Sequence, residues 1–300
     1  MTNLPTKIIM KMQHSELEEI LASAFESHRE KGYFYMDCGG RHHGDWINIY
    51  DKILSSFNDD QRKFLEQQVQ STMSRPGIHR IMDQGCGHAQ SLREVTVRLA
   101  SHYPQNKFIG YGLSGSLKDI WLGGRKFDFH ITSDQQRLIK VYGIQPFQEK
   151  GENYEFFGVE DDLHTVMLRF PYLLDLVVSD NTYFHLAVPW LALKRTVDKL
   201  TMGGIALIRT LFNSKVNTFT QKVIADVQVL NNLRKDNVDY EVFSVNSKQD
   251  HRVLAIIKRG DNFFKTNLYL GWVEEEGYKK VKLFYSRKPQ LNLLAVDNFQ

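Results

Sequence analysis

Ile81-Met82-Asp83-Gln84-Gly85-Cys86-Gly87-His88-Ala89 places an acid at the end of an apolar run and follows it with a glycine-rich turn. That order suits the capture of a small charged ligand. Glycines let the backbone approach closely, and the helix-compatible run from Ser91 begins with unpaired N–H groups that favour an anion. Asp83 offers the opposite charge for a cationic group; its plainer role is to cap the turn. Cys86 has no acid–base partner nearby in the sequence, so it reads as a small packed residue rather than a nucleophile. His88 either edges the pocket or faces solvent. A second group is Asp180-Asn181-Thr182-Tyr183-Phe184-His185. His185 is the one side chain there that titrates near neutrality unperturbed, which makes it the general-base candidate; the bland alternative is a structural histidine near a helix start. Tyr183 would orient an acceptor or simply pack. A third group is the acidic run Glu160-Asp161-Asp162. The fourth lies at residues 37–46, with Asp37, Cys38, His42, His43 and Asp45 among glycines. Adjacent histidines do not readily both point at one ion from a regular element, so a lid or substrate loop is the better reading and no metal site is assigned.

These groups need elements to position them. From about residue 79 apolar runs of strand length alternate with helical patterns. Strands are expected at 79–84, 107–112, 154–159, 173–179, 204–210 and 253–258, with a further one at 240–245. Helices are expected at 91–101, 133–142, 183–200 and 218–236. Such alternation predicts a mainly parallel sheet covered by helices, with the ligand outside the carboxyl ends of its strands. Residues 1–75 carry helical spacing instead: Leu17, Ile20, Leu21 and Phe25, then Tyr50, Ile53, Leu54 and Phe57. Asn58-Asp59-Asp60 can start another helix, to about Gln70. Beyond residue 260, 266–273 and 279–285 alternate around Glu274-Glu275-Glu276-Gly277, which predicts a β-hairpin with a solvated acidic turn.

The chain has 300 residues, 42% of them hydrophobic and 12% aromatic, ample for a large core. A net charge of +3 with dispersed Lys and Arg does not suggest a dedicated nucleic-acid surface. Two separated cysteines suggest neither a disulfide framework nor a zinc ribbon, and a reducing, cytoplasmic setting is the default. No apolar run approaches membrane-spanning length, and no charged-then-apolar signal pattern opens the chain. A secreted bacterial effector is a remoter expectation, raised only by the acidic run near the polar C-terminus.

Residues 79–260 resemble a class I S-adenosylmethionine-dependent methyltransferase. Five segments carry the likeness in order. They are Asp83-Gln84-Gly85-Cys86-Gly87-His88-Ala89, Phe108-Ile109-Gly110-Tyr111-Gly112-Leu113-Ser114, Gly158-Val159-Glu160-Asp161-Asp162-Leu163, the run from Asp175 to Leu186, and Leu200-Thr201-Met202-Gly203-Gly204-Ile205-Ala206-Leu207-Ile208. The resemblance implies a three-layer αβα, Rossmann-like sheet (α/β class) over about residues 76–260. An N-terminal helical cap or lid over 1–75 and a C-terminal β extension over 261–300 would complete it. It also implies S-adenosylmethionine as cofactor and a small-molecule or protein methyl acceptor; the composition adds the expectation of no dedicated nucleic-acid surface and no membrane partner. The backbone N–H groups of residues 85–89, including Gly85, Cys86 and Gly87, would receive the cofactor carboxylate. Asp83 would hold its amino end. An acid among Glu160, Asp161 and Asp162 would accept from the adenine amine, and Gly112 and Leu113 would border the ribose. Asp180 would lie beside the reactive methyl, with His185 and Tyr183 on the acceptor side.

Two positions depart from the family pattern. Ala89 stands where a third glycine is common, and Gly112 stands where an Asp or Glu usually grips the ribose diol. The second departure removes two charge-assisted hydrogen bonds, each worth roughly 1.5–3 kcal/mol; Ser114 or a backbone group would compensate only in part. It favours a rival expectation, a methyltransferase fold that binds a protein partner without catalysis. A nicotinamide-dependent oxidoreductase is disfavoured because Gly85-Cys86-Gly87-His88-Ala89-Gln90 does not complete GxGxxG. Residues 179–182 likewise lack the Asn/Asp-Pro-Pro-aromatic pattern of enzymes that methylate nucleic-acid bases.

Overall fold

A computed structural model describes residues 8–11, 49–86, 89–115, 144–186, 189–211, 240–246, 251–260, 268–275 and 278–285, with isolated positions 19, 22, 23 and 26. Its centre is an eight-stranded sheet built from β2 (Ile78–Gln84), β3 (Lys107–Ser114), β4 (Ile144–Lys150), β5 (Tyr154–Glu160), β6 (Leu174–Asp180), β7 (Leu200–Leu211), β8 (Tyr240–Asn246) and β9 (His251–Lys258). The spatial order is β4-β5-β3-β2-β6-β7-β9-β8. β5, β3, β2, β6 and β7 run parallel; β4 is antiparallel to β5, and β9 is antiparallel to both β7 and β8. The chain steps outward from β2 through β3 to β5, then restarts at β6 and steps the other way. The direction therefore reverses between β2 and β6, and in such sheets that point opens a ligand crevice at the carboxyl ends.

Both faces are covered, as a parallel sheet requires. On one side α1 (Ile49–Leu54), α2 (Asp59–Met73) and α3 (Gln90–His102) bury Ile53, Leu65, Val69, Leu92 and Val95 against Ile81, Leu176, Val178 and Leu207. On the other, α4 (Leu163–Arg169) and α5 (Pro189–Asp198) bury Val166, Met167, Leu193 and Val197 against Met82, Val177, Ala206 and Ile208. The three-layer, Rossmann-like expectation is met. α2 starts where its composition says it should: Asn58 Oδ1 accepts the Gln61 N–H at 2.9 Å. Its far end is tied to the sheet, since Thr72 Oγ1 and Gln68 Nε2 both donate to the Gly203 carbonyl.

Several elements differ from the sequence expectations. The helix expected over 183–200 is divided. A single 3₁₀ turn spans Tyr183–His185, and α5 begins only at Pro189, whose missing N–H and fixed φ suit a first helical position. The strand β4 was not expected; Pro146 interrupts its pattern and is tolerated because β4 is an edge strand. β7 begins at Leu200, four residues before the expected 204. The helices expected at 133–142 and 218–236, and the loop at 37–46, lie outside the described residues.

A second, three-stranded sheet joins the two ends of the chain. β1 (Ile8–Lys11) pairs antiparallel with β10 (Leu268–Glu275), which pairs antiparallel with β11 (Tyr278–Tyr285). The expected hairpin is present, but its acidic run is not all turn: Glu274 and Glu275 belong to β10, where Glu274 stands opposite Ile8 and Lys279. The strand β1 lies within the segment expected as a helical cap and pairs with β10 of the C-terminal sheet.

Candidate functional site

The site grows from the end of β2. Gln84 is fully buried and anchors the strand end through its side-chain amide and its carbonyl. On one face its side chain donates to Thr196 Oγ1 at 2.9 Å and accepts the Tyr183 hydroxyl at 2.9 Å. Its carbonyl accepts the hydroxyls of Ser179 and Thr182, each at 2.9 Å. Those bonds join the end of β2 to the exit of β6 across the switch point. Gly85 follows with φ +78°, and a Cβ placed there would lie 1.8 Å from Thr182 Oγ1. Both the left-handed backbone and the close approach of Thr182 demand glycine here.

The turn is closed against β3. The N–H groups of Gly85 and Cys86 both donate to the Leu113 carbonyl, at 2.8 and 3.0 Å, and Ala89 N–H donates to the Cys86 carbonyl at 2.7 Å. This corrects the expected anion cradle: three of the N–H groups assigned to a ligand carboxylate are engaged within the protein. Gly87 and His88 lie outside the described residues. Ala89 is fully buried at φ 56°, where an L-residue is strained, which explains why a glycine would suit that place. Ala89, at the N-cap of α3, has no side-chain group to cap it.

Asp83 stands just before this turn and is 5% exposed. Burial raises its carboxyl, and the nearby negative charge of Asp180 raises it further, to about 7. In the parallel register Asp83 lies beside Gly112 of β3 and Val178 of β6, while Asp180 lies beside Arg209 of β7. Paired positions share a face, so Asp83, Asp180 and Arg209 converge at the carboxyl ends of three adjacent strands. Arg209 Nε and a terminal nitrogen grip the two Asp180 oxygens at 2.6 Å each, with both side chains only 6% exposed. The Arg209 carbonyl also accepts the Asn181 N–H at 2.8 Å, holding Asn181 at φ 54°. Sequence reasoning passed over Arg209. The available signal was a lone cation inside the apolar run from Ile205 to Leu211.

The remaining candidates separate. Glu160 is exposed at the end of β5, beside the turn in which Asp161 N–H donates to the Ser114 carbonyl. Asp161 pairs with Arg169 and accepts the Asp162 N–H, so it serves its own loop. Asp162 caps α4 through the Thr165 N–H at 3.0 Å and also meets His164 Nδ1 at 3.0 Å. Burial pushes its carboxyl up, yet the bonds from His164 and Thr165 outweigh this and hold it below its ordinary value. Tyr183 is fully buried, with its hydroxyl between Gln84 and Thr196, so its polar group belongs to the core and not to an acceptor. Burial raises that phenol strongly. His185 is half-buried in the 3₁₀ turn after β6, with its N–H on the Thr182 carbonyl at 3.1 Å.

Gly112 has a local cause. A Cβ there would lie 2.9 Å from Cys86 Sγ and 3.5 Å from Leu92 Cδ2. The sulfur of buried Cys86 occupies the space that an acidic side chain at 112 would need. Leu113 points into the core and contributes its carbonyl to the turn. Among the described residues no group of three or more His, Cys, Asp or Glu could hold a metal ion, and no helix is long and apolar enough to cross a membrane.

No protein-family model matches the chain, and no curated protein matches it. Among solved structures, the chain is similar to the plantazolicin methyltransferase BpumL in complex with a triazolic desmethylPZN analog and SAH. The identity is 13%, covering 82% of this chain and 98% of that one, with a TM-score of 0.43. An rRNA methylase from Streptococcus thermophilus is also similar, at 10% identity over 65% of this chain and 96% of that one, with a TM-score of 0.37.

Proposed function

We propose that this chain binds S-adenosylmethionine and transfers its methyl group to a small-molecule or protein acceptor. The observation that carries this reading is Asp83. It is a carboxyl buried at the switch point of a doubly wound sheet, beside a tight glycine turn, with no hydrogen bond among the described residues to offset its burial. A group so placed suits a cationic ligand head, and the cofactor's ammonium is one. When bound, S-adenosylmethionine supplies an already activated methyl group. The protein's work is then to align an acceptor and dispose of its proton. Asp83 holds the ammonium. Exposed Glu160 stands at the next-but-one strand end, where it can accept from an adenine amine. The Asp180–Arg209 pair fixes the exit of β6, and from there His185 is the residue that would take the acceptor's proton. Tyr183 has no part on the acceptor side, because its hydroxyl is engaged in the core.

The Cys86–Gly112 contact supports a second reading, in which the fold binds a protein partner without catalysis, since position 112 offers no acid to the ribose diol. Titration calorimetry with S-adenosylhomocysteine separates the two. Saturable heat is expected under the first reading; absence of binding at millimolar ligand overturns it. Transfer of a labelled methyl group to a candidate acceptor, abolished on changing His185 to Ala while S-adenosylhomocysteine still binds, would support the assignment of the base.

A further inference from the structure

Asp83, Asp180 and Arg209 are unequal partners. Arg209 grips both oxygens of Asp180, so that carboxylate carries a fixed negative charge with its own counter-ion. Asp83, on the same face of the neighbouring strand, has neither counter-ion nor donor among the described residues, and it is buried. The groups around it are few. β3 presents Gly112, which has no side chain, β6 presents Val178 and Asp180, and β7 presents Leu207 and Arg209. On the helices packed against this face, Asp51 of α1 pairs with Arg98 of α3. The other charges there, Lys52 on α1, Arg93 and Glu94 on α3, and Asp59, Asp60, Arg62, Lys63 and Glu66 on α2, exert no pull on Asp83 comparable to that of Asp180.

We propose that Asp83 carries a proton while the site is empty and releases it when the cationic head of the ligand binds, with its burial, and then the fixed charge of Asp180, keeping the empty site protonated. The identity of the ligand rests on the function proposed above; the protonated state of Asp83 does not. The step balances simply. The Asp83 O–H bond breaks, its proton passes to the buffer, and the carboxylate left behind pairs with the ligand ammonium, which keeps all its protons. Binding therefore exchanges one positive charge for another, so Asp83 is not left as an uncompensated buried carboxylate beside Asp180. This also gives selectivity: a neutral analogue lacking the ammonium displaces no proton.

Calorimetry of S-adenosylhomocysteine binding in buffers of different ionisation heat counts the protons. A group titrating near 7 predicts release of about 0.9 proton per site at pH 6 and close to none at pH 9. In Asp83→Asn the release disappears. In Asp180→Asn the smaller cause of the shift is gone and Arg209 is freed to attract Asp83, so release at pH 6 falls below that of the wild type, while burial still holds the carboxyl above its ordinary value. A second measurement needs no ligand. Between pH 5 and pH 7 the folded protein holds a proton on Asp83 that the unfolded chain does not, so rising pH favours unfolding. The folding constant of the wild type relative to Asp83→Asn, from urea unfolding, should fall about ninefold from pH 5 to 6 and about fivefold from pH 6 to 7. A flat ratio, or equal proton release by wild type and Asp83→Asn, overturns the proposal. If S-adenosylhomocysteine fails to bind while the unfolding ratio falls as stated, the cofactor assignment is lost and the protonated state of Asp83 stands.

Discussion

Changing Gly85 to Ala tests how the two halves of the sheet are joined. The added methyl meets two obstacles. At φ +78° an L-residue costs about 1–2 kcal/mol. Its Cβ would also lie 1.8 Å from Thr182 Oγ1 and 2.9 Å from both Thr182 Cγ2 and Cβ. Thr182 must therefore rotate or retreat. That breaks its hydrogen bond to the Gln84 carbonyl, worth about 1 kcal/mol, and adds roughly 1–3 kcal/mol of overpacking. The single change should cost about 3–6 kcal/mol, a large part of a typical domain's stability. Thr182→Ala alone should cost about 1 kcal/mol for the lost bond. In the double variant Oγ1 and Cγ2 are absent, so most of the clash vanishes while the backbone strain stays. The double variant should then be more stable than the sum of the singles predicts, by about 2 kcal/mol. Urea unfolding followed by circular dichroism, with m held common, measures all four corners of the cycle. Additivity within about 0.5 kcal/mol would refute the argument that Thr182 is what excludes a side chain at 85.

Three other outcomes follow from particular contacts. Tyr183→Phe leaves Gln84 Oε1 without the donor described for it and should cost about 1–3 kcal/mol in urea unfolding. Affinity for S-adenosylhomocysteine should change less than twofold, and a tenfold loss would return Tyr183 to the ligand site. Asp162→Ala removes the cap of α4 and should cost about 1–2 kcal/mol near neutrality. Because the folded protein holds this carboxyl below its ordinary value, its contribution exists above the unfolded value and is lost as pH falls, so the gap to wild type should close in acid; a gap constant down to pH 3 would contradict this. Gly112→Asp should destabilise by about 1–3 kcal/mol against Cys86 Sγ. Adding Cys86→Ala should relieve that cost and tighten S-adenosylhomocysteine about tenfold, roughly 1.4 kcal/mol. Calorimetry showing no gain in affinity would remove Gly112 from the ribose assignment.

Much of this architecture was legible in the sequence because it depends on local pattern. Apolar runs of strand length within 204–210 and 253–258 had to be buried on both faces, and the acid-then-glycine order marked where the first strand delivers its end. Asn58 announced α2 because capping is a contact over three residues. Elements defined by distant partners were not legible. β1 is four residues with no pattern of its own, and only pairing with β10 makes it a strand. The 3₁₀ turn at Tyr183–His185 looked helical in sequence, while Pro189 moved the true helix start downstream.

The candidate site divides the same way. Residue type alone marked Asp83, Gly85 and Gly112, because a buried acid, a left-handed turn and a missing side chain are properties of single positions. Only the tertiary structure decided what those residues can do. Strand register brought Arg209 to Asp180 from 29 positions away, and left Asp83 without a counter-ion among the described residues. It turned the Tyr183 hydroxyl into the core and committed the Gly85 and Cys86 N–H groups to the Leu113 carbonyl. Hydrogen bonds and charge pairs act over a few ångströms between groups far apart in the chain. A linear pattern can name the groups; the partner of each is set by which strands lie side by side.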